Sequence, residues 1–219
     1  MSAIFLDLDG TLIDPKQGIT ASICHALREM GLTDIPGVDD LTWCIGPPLW
    51  ESFGVLLGER ADINAAVGHY RDHYTDTGMY EADVYDGIGE MLMALRNTGL
   101  PLYIATSKPH VYANDIAAHF GISHYVDGLF GSELDGLNTD KTDLLAHALA
   151  ETGADPFRSV MIGDRQHDVL GAQNNDIASL GVLWGYAEES ELHMAEADAL
   201  ACAPEEVAEI VSDLLGLDD

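Results

Sequence analysis

Lysine occurs only three times in the 219 residues of this chain, at Lys16, Lys108 and Lys141, and Lys plus Arg number 9 against 38 Asp plus Glu. The formal net charge of -29 argues against a nucleic acid polymer or an anionic membrane as main partner, because both are recognised through clustered basic residues. Cysteine is scarce as well. Cys24, Cys44 and Cys202 are odd in number and widely spaced, which fits neither a disulfide framework nor a zinc pattern, so they read as reduced, packed thiols. No run approaches the roughly 18 apolar residues of a membrane-spanning helix. The N-terminus also lacks the basic region and unbroken apolar stretch of a signal peptide. The expectation is a cytoplasmic protein, monomer or homodimer, without a membrane partner. An acidic shell repels itself unless it is screened, so adaptation to high salt is expected too.

What is present is enough apolar sequence, 47%, to bury a substantial core. The length exceeds a typical domain and falls short of two, which suggests one core domain with an insertion. Ile19, Ile23, Leu27 and Met30 recur at helical spacing before Gly31, so residues 19–30 read as an amphipathic helix. Helical, strand-poor sequence continues to about Tyr80, broken at GLTDIPG and CIGPP. Residues 16–82 are therefore read as a helical insert, and residues 1–15 with 83–219 as the core.

From Asp86 the rhythm changes. Helices are expected over 88–97, 109–120, 141–151 and 166–174, with a last one opened by Pro204 and running to Leu215. Between them lie short apolar strands at Leu102–Ala105, Val126–Phe130, Val160–Ile162 and Ser179–Leu183. Such alternation signals an α/β fold, a doubly wound, Rossmann-like parallel sheet covered on both faces. The chemistry of these sheets sits beyond the carboxyl ends of the strands.

Those ends are polar here. FLDLDGTLID places Asp7 and Asp9 at the end of an apolar run and follows them at once with Gly10 and Thr11. A carboxylate in that position is costly unless a cation or hydrogen-bond donors meet it. LYIATS ends in Thr106 and Ser107, VMIGD ends in Asp164, and Lys141 opens the helix that follows Phe130. A calcium loop does not explain the first motif, because counting from Asp7 puts Gly10 fourth and Gly18 twelfth, whereas the EF-hand needs Gly sixth and Glu twelfth.

In this order DLDGTLID, IATSKP, the isolated Lys141 and MIGDRQHD resemble the four motifs of the haloacid dehalogenase superfamily of phosphohydrolases. The resemblance covers nearly the whole chain, including a helical cap inserted between the first two motifs. GVLWGY after the fourth motif looks closest to the phosphoglycolate phosphatase-like branch. The resemblance implies a Mg²⁺-dependent phosphatase acting on a small phosphorylated substrate through an aspartyl-phosphate.

By that resemblance Asp7 attacks phosphorus, and Asp9 is general acid and then base while its backbone helps to hold Mg²⁺. Asp164 is a direct ligand that completes the metal site with Asp7, and Asp168, one helical turn later, faces the same metal directly or through water. Thr106 and Ser107 bind phosphate oxygens, and Lys141 bridges Asp7 and the phosphate. In the cap, Gly46 lies in a turn that reaches the substrate and Arg71 meets a second anionic group of it. A monoester of about -2 together with Asp7, Asp164 and Asp168 outweighs Mg²⁺ and Lys141, so helix dipoles, a cap cation or a protonated Asp9 are needed.

Plainer readings stand beside these. Asp7 and Asp9 can end a strand in an ordinary turn, Lys141 can be a solvated helix residue, and Thr106 with Ser107 can cap a helix. Asp168 can be surface acid, and Arg71 a partner for neighbouring acids. Lys108 points either into the crevice or to solvent. His110 and His167 are given no role, and Met91 and Met93 are read as packing. Competing functions are a phosphomutase similar to β-phosphoglucomutase, a 5'-nucleotidase and a non-catalytic Mg²⁺ or phosphate-binding module.

Overall fold

The computed structural model describes residues 1–58 and 61–217. In chain order the elements are β1 (Ala3–Leu6), β2 (Ile13–Asp14), α1 (Lys16–Glu29), α2 (Leu49–Leu57), α3 (Ile63–Asp76), β3 (Asp83–Val84), α4 (Ile88–Asn97) and β4 (Leu102–Pro109). There follow α5 (His110–His119), β5 (Gly128–Ser132), α6 (Lys141–Thr152), β6 (Ser159–Gly163), α7 (Gln166–Gln173), β7 (Ala178–Val182), α8 (Glu189–Met194), β8 (Ala199–Ala201) and α9 (Val207–Leu215). The chain divides into two compact units, one of Met1–Ile13 with Val84–Asp219 and one of Asp14–Asp83.

The first unit is built on a six-stranded sheet of order β5-β4-β1-β6-β7-β8, every pair parallel. Its central strands are buried throughout, β1 as AIFL and β6 as SVMIG. Continuous apolar runs of this kind belong to strands covered on both faces. Alternation divides the faces: Ala3 and Phe5 pack into one cluster with Ala105, Leu144, Leu145, Ala148, Met161 and Ala172, whereas Ile4 and Leu6, just as buried, face the other way. From β1 the chain moves outward through β4 to β5. It then returns to β6 on the other side of β1 and moves outward through β7 to β8. The connections leaving β1 and β6 therefore run to opposite sides, and a crevice opens at their carboxyl ends.

The second unit packs α1 against α3. Ile19, Ile23, Ala26 and Leu27 are buried on α1, and Ala66, Val67, Tyr70 and Tyr74 on α3. Gly18 and Gly78 bring the two backbones together so closely that a side chain on Gly18 would run into the Gly78 carbonyl.

Several sequence expectations are revised. The first helix starts at Lys16 rather than 19, directly after Pro15, which pre-forms the entry to a helix. Strand β4 runs on to Pro109 because the residue before a proline is pushed to extended backbone. Pro204 opens a 3₁₀ turn, and the α-helix begins at Val207. Met93 is 49% exposed, since Ile88, Met91, Leu92 and Leu95 form the buried stripe of α4 and Met93 falls outside it. Cys202 is exposed, whereas Cys24 and Cys44 are buried, and all three are free thiols. Among the described residues no helix is long and apolar enough to cross a membrane.

Candidate active site

Leu6 is in register with Ile104 on one side and with Ile162 on the other. The residues that follow these three strands thus leave the sheet at one level: Asp7 and Asp9 after β1, Thr106 within the end of β4, and Asp164 after β6. The Asp7 N–H donates to the Ile162 carbonyl at 2.9 Å, and the chain then folds back, with Leu12 N–H donating to Leu8 O at 2.9 Å and Gly10 N–H to Ile13 O at 2.8 Å. Gly10 has φ +81°, and any side chain there would run into the Asp164 carboxylate. The acidic pair is followed by glycine because the turn needs left-handed backbone and the space is already taken.

Asp164 is buried, and its Oδ2 accepts from the Tyr186 N–H at 2.8 Å. The Thr11 hydroxyl makes a long contact of 3.5 Å to Oδ1. The Trp184 indole N–H donates to the Thr11 carbonyl at 3.0 Å, tying the loop after β1 to the loop after β7. Asp168 lies in the first turn of α7, where its Oδ2 accepts from the Arg165 N–H at 3.1 Å. Gly163 lies against it so tightly that a side chain there would overlap the carboxylate.

Lys141, 4% exposed, opens α6 and aims its ammonium into this group. Nζ lies 2.7 Å from Asp168 Oδ1 and 3.0 Å from Asp7 Oδ1, and it donates to the Ala105 carbonyl at 2.9 Å. Lys108 and Asp9 form a second buried pair, Nζ to Oδ2 at 2.9 Å. Thr106 is buried and accepts from the Lys108 N–H at 3.3 Å, while Ser107 is half-buried and its carbonyl accepts from the Ser132 hydroxyl at 2.8 Å.

One oxygen each from Asp7, Asp164 and Asp168 falls within a 4.8 Å cluster. Asp7 Oδ1 and Asp168 Oδ1 are buried, and the Lys141 ammonium faces both at ion-pair distance. Three ionised carboxylates exceed the charge of Lys141 by two, which is the charge of one divalent cation. All the donors are hard carboxylate oxygens, the ligands that Mg²⁺, Mn²⁺ and Ca²⁺ take. The residues fit such a cation.

The electrostatics agree. Burial, then the neighbouring Asp168 and Asp7, push the Asp164 carboxyl well above its ordinary value. Burial lifts Asp168 to about 6 against the opposing pull of Lys141. Asp9 is raised, again chiefly by burial, with Lys108 opposing. Burial alone would lower Lys141, but the facing carboxylates of Asp168 and Asp7 outweigh it and hold the ammonium protonated.

The fold thus brings Asp7, Asp164, Asp168 and Lys141 together, with Asp9 two residues after Asp7, Thr106 directly after the Ala105 carbonyl that Lys141 meets, and Ser107 next along β4. Gly46 and Arg71 belong to the second unit. Gly46 has φ +100° in the loop before α2, and Arg71, on α3, holds its guanidinium 5.1 Å over the Trp50 ring. Sequence reasoning left Lys108 undecided and missed the support that Trp184 and Tyr186 give to Asp164. Gly185 between them is the one signal that could have found it, since a side chain there would strike Asp164.

Comparison with known proteins follows the same lines. The sequence model described as haloacid dehalogenase-like hydrolase matches residues 4–182. A 5'-nucleotidase of Pseudomonas aeruginosa is 46% identical over 190 residues, 86% of this chain and 86% of that protein. Tyrosine-protein kinase PtkA of Mycobacterium tuberculosis is 42% identical over 184 residues, 84% of this chain but only 62% of that protein. A crystal structure described as a predicted phosphatase from Clostridium acetobutylicum has a TM-score of 0.92 at 34% identity, covering 97% of this chain and 98% of that one. With the match running from β1 to the end of β7, the chain belongs to the haloacid dehalogenase-like hydrolase family.

Proposed function

We propose that this hydrolase is a Mg²⁺-dependent phosphatase of small phosphate monoesters. The observation that carries the reading is the buried cluster of Asp7, Asp164 and Asp168 with Lys141 against two of its oxygens. Bound Mg²⁺ would be held by these three carboxylates and the Asp9 backbone carbonyl, and it supplies charge neutralisation for the nucleophile and the phosphate oxygens.

An oxygen of the Asp7 carboxylate attacks phosphorus as the ester P–O bond breaks, and Asp9 gives a proton to the departing alkoxide. Asp9 then takes a proton from water, whose oxygen attacks the same phosphorus. The bond to Asp7 breaks, its electrons return to the carboxylate, and inorganic phosphate leaves. Lys141 offsets charge on Asp7 and on the incoming phosphate. Thr106 and Ser107 receive phosphate oxygens, helped by the N–H groups that open α5. Substrate selection belongs to Gly46 and Arg71 of the second unit, and Arg71→Ala tests this through KM.

Among monoesters the reading spans phosphoglycolate, as the GVLWGY segment suggests, and nucleoside 5'-monophosphates. The latter gain weight from the 46% identical relative named 5'-nucleotidase. A phosphomutase would return an isomerised sugar phosphate instead of inorganic phosphate. The test is phosphate release over phosphoglycolate, nucleoside 5'-monophosphates, sugar phosphates and p-nitrophenyl phosphate, with Mg²⁺ or EDTA. Release that needs Mg²⁺ and vanishes in Asp7→Asn is expected; equal release by Asp7→Asn overturns the reading.

A further inference from the structure

Lys108 is left without a task by the mechanism above, yet it is one of three lysines in the chain and its side chain is only 6% exposed. Burying an ammonium is unfavourable unless a partner compensates its lost hydration. Here the partner is Asp9 Oδ2, at 2.9 Å. The other oxygen, Asp9 Oδ1, is buried and has no hydrogen-bond partner among the described residues. One oxygen of the carboxylate is held and the other is left open to exchange a proton.

The backbone that carries Lys108 is itself fixed. The register between β4 and β5 slips between Thr106 and Pro109, which turns this segment out of the regular ladder. Thr106 Oγ1 accepts the Lys108 N–H, and the Ser132 hydroxyl donates to the Ser107 carbonyl. Gly131 then lets the two backbones approach so closely that a side chain there would meet the Lys108 carbonyl at 2.8 Å. Lys108 is thus anchored on the strand end that also carries Thr106, and it grips Asp9 from there.

We propose that Lys108 is a positioning residue for the second half of the reaction: by holding Asp9 Oδ2 it turns Oδ1 toward the water that hydrolyses the aspartyl-phosphate. This rests on the phosphatase reading. In that step Oδ1 accepts the water proton, the water oxygen bonds to phosphorus, and the P–O bond to Asp7 breaks with its electron pair returning to the carboxylate. Misplacement of the base by about 1 Å is enough to cost on the order of 100-fold.

The test uses the full chain with Mg²⁺ and p-nitrophenyl phosphate, whose phenolate departs without needing a proton, so the first step is spared. In rapid mixing, Lys108→Met should release a burst of about one nitrophenolate per active site and then turn over roughly 10- to 100-fold more slowly than wild type. Acid-quenched protein should carry phosphate on Asp7, and Lys108→Arg, which keeps the cation, should recover part of the rate. Mg²⁺ affinity by calorimetry should be unchanged in both variants. Turnover of Lys108→Met within twofold of wild type, slowing without a burst, or slowing together with lost Mg²⁺ binding each overturn the assignment. Failure of the phosphatase reading itself shows separately, as wild-type protein that releases no phosphate or an Asp7→Asn variant as active as wild type.

Discussion

The Lys141 ammonium stands 2.7 Å from the Asp168 carboxylate, with both side chains 3% exposed, so the first turns of α6 and α7 are joined by an ion pair closed off from water. Without Lys141, three carboxylates would face one another with no cation. Breaking a buried pair on one side costs about 3–5 kcal/mol, because the remaining charge is stranded. Lys141→Met should therefore lose about that much stability in EDTA and regain part of it when Mg²⁺ is added. Urea unfolding with and without the metal measures both.

Gly10 is constrained twice over, by its left-handed backbone and by the Asp164 carboxylate beside it. Gly10→Ala forces a non-glycine residue to φ +81° and drives a methyl group at the Asp164 carboxylate. The left-handed backbone alone costs about 1–2 kcal/mol, and displacement of Asp164 should weaken Mg²⁺ binding by more than tenfold. Calorimetric titration checks the affinity and thermal melting the stability.

The raised carboxyls give a signed pH dependence. Because folding lifts Asp168 from 3.8 to about 6, its protonation favours the metal-free fold. That contribution is full below the unfolded value and is lost as pH rises through about 6. The melting temperature of wild type minus that of Asp168→Asn, both in EDTA, should fall between pH 4 and 7. Mg²⁺ must displace the proton, so its affinity should drop as pH falls through the same range, with proton release seen in buffers of different ionisation enthalpy.

The acidic composition predicts a salt response. With a net charge of -29, repulsion between surface carboxylates is screened as the Debye length falls from about 10 Å at 0.1 M to about 3 Å at 1 M. The melting temperature should climb steadily with KCl over that range. A flat or falling profile contradicts an acidic shell tuned to salt.

Much of the arrangement was legible in the sequence, for a physical reason. A parallel sheet brings the carboxyl ends of its strands to one edge, so the apolar runs ending in Asp7, Thr106 and Asp164 had to converge, and the helix start at Lys141 with them. Asp168 followed from helical spacing. What stayed hidden has no side-chain signature: the Asp164 anchor is a backbone N–H of Tyr186, and the Trp184 indole reaches the Thr11 carbonyl across 173 positions of sequence. Lys108 could not be assigned because its direction depends on the irregular end of β4. The short, acid-rich α8 and three-residue β8 lack the length that periodicity needs.

Asp7, Asp164 and Asp168 are expected to seat one divalent cation together in the crevice between β1 and β6. The decisive experiment is isothermal titration of the metal-free chain with Mg²⁺, beside Asp164→Asn and Asp168→Asn variants whose folding is verified by circular dichroism. One site per chain in the wild type, weakened at least tenfold in Asp164→Asn and measurably in Asp168→Asn, is the predicted result. Undiminished Mg²⁺ affinity in both variants, or no saturable binding by the wild type, would contradict it.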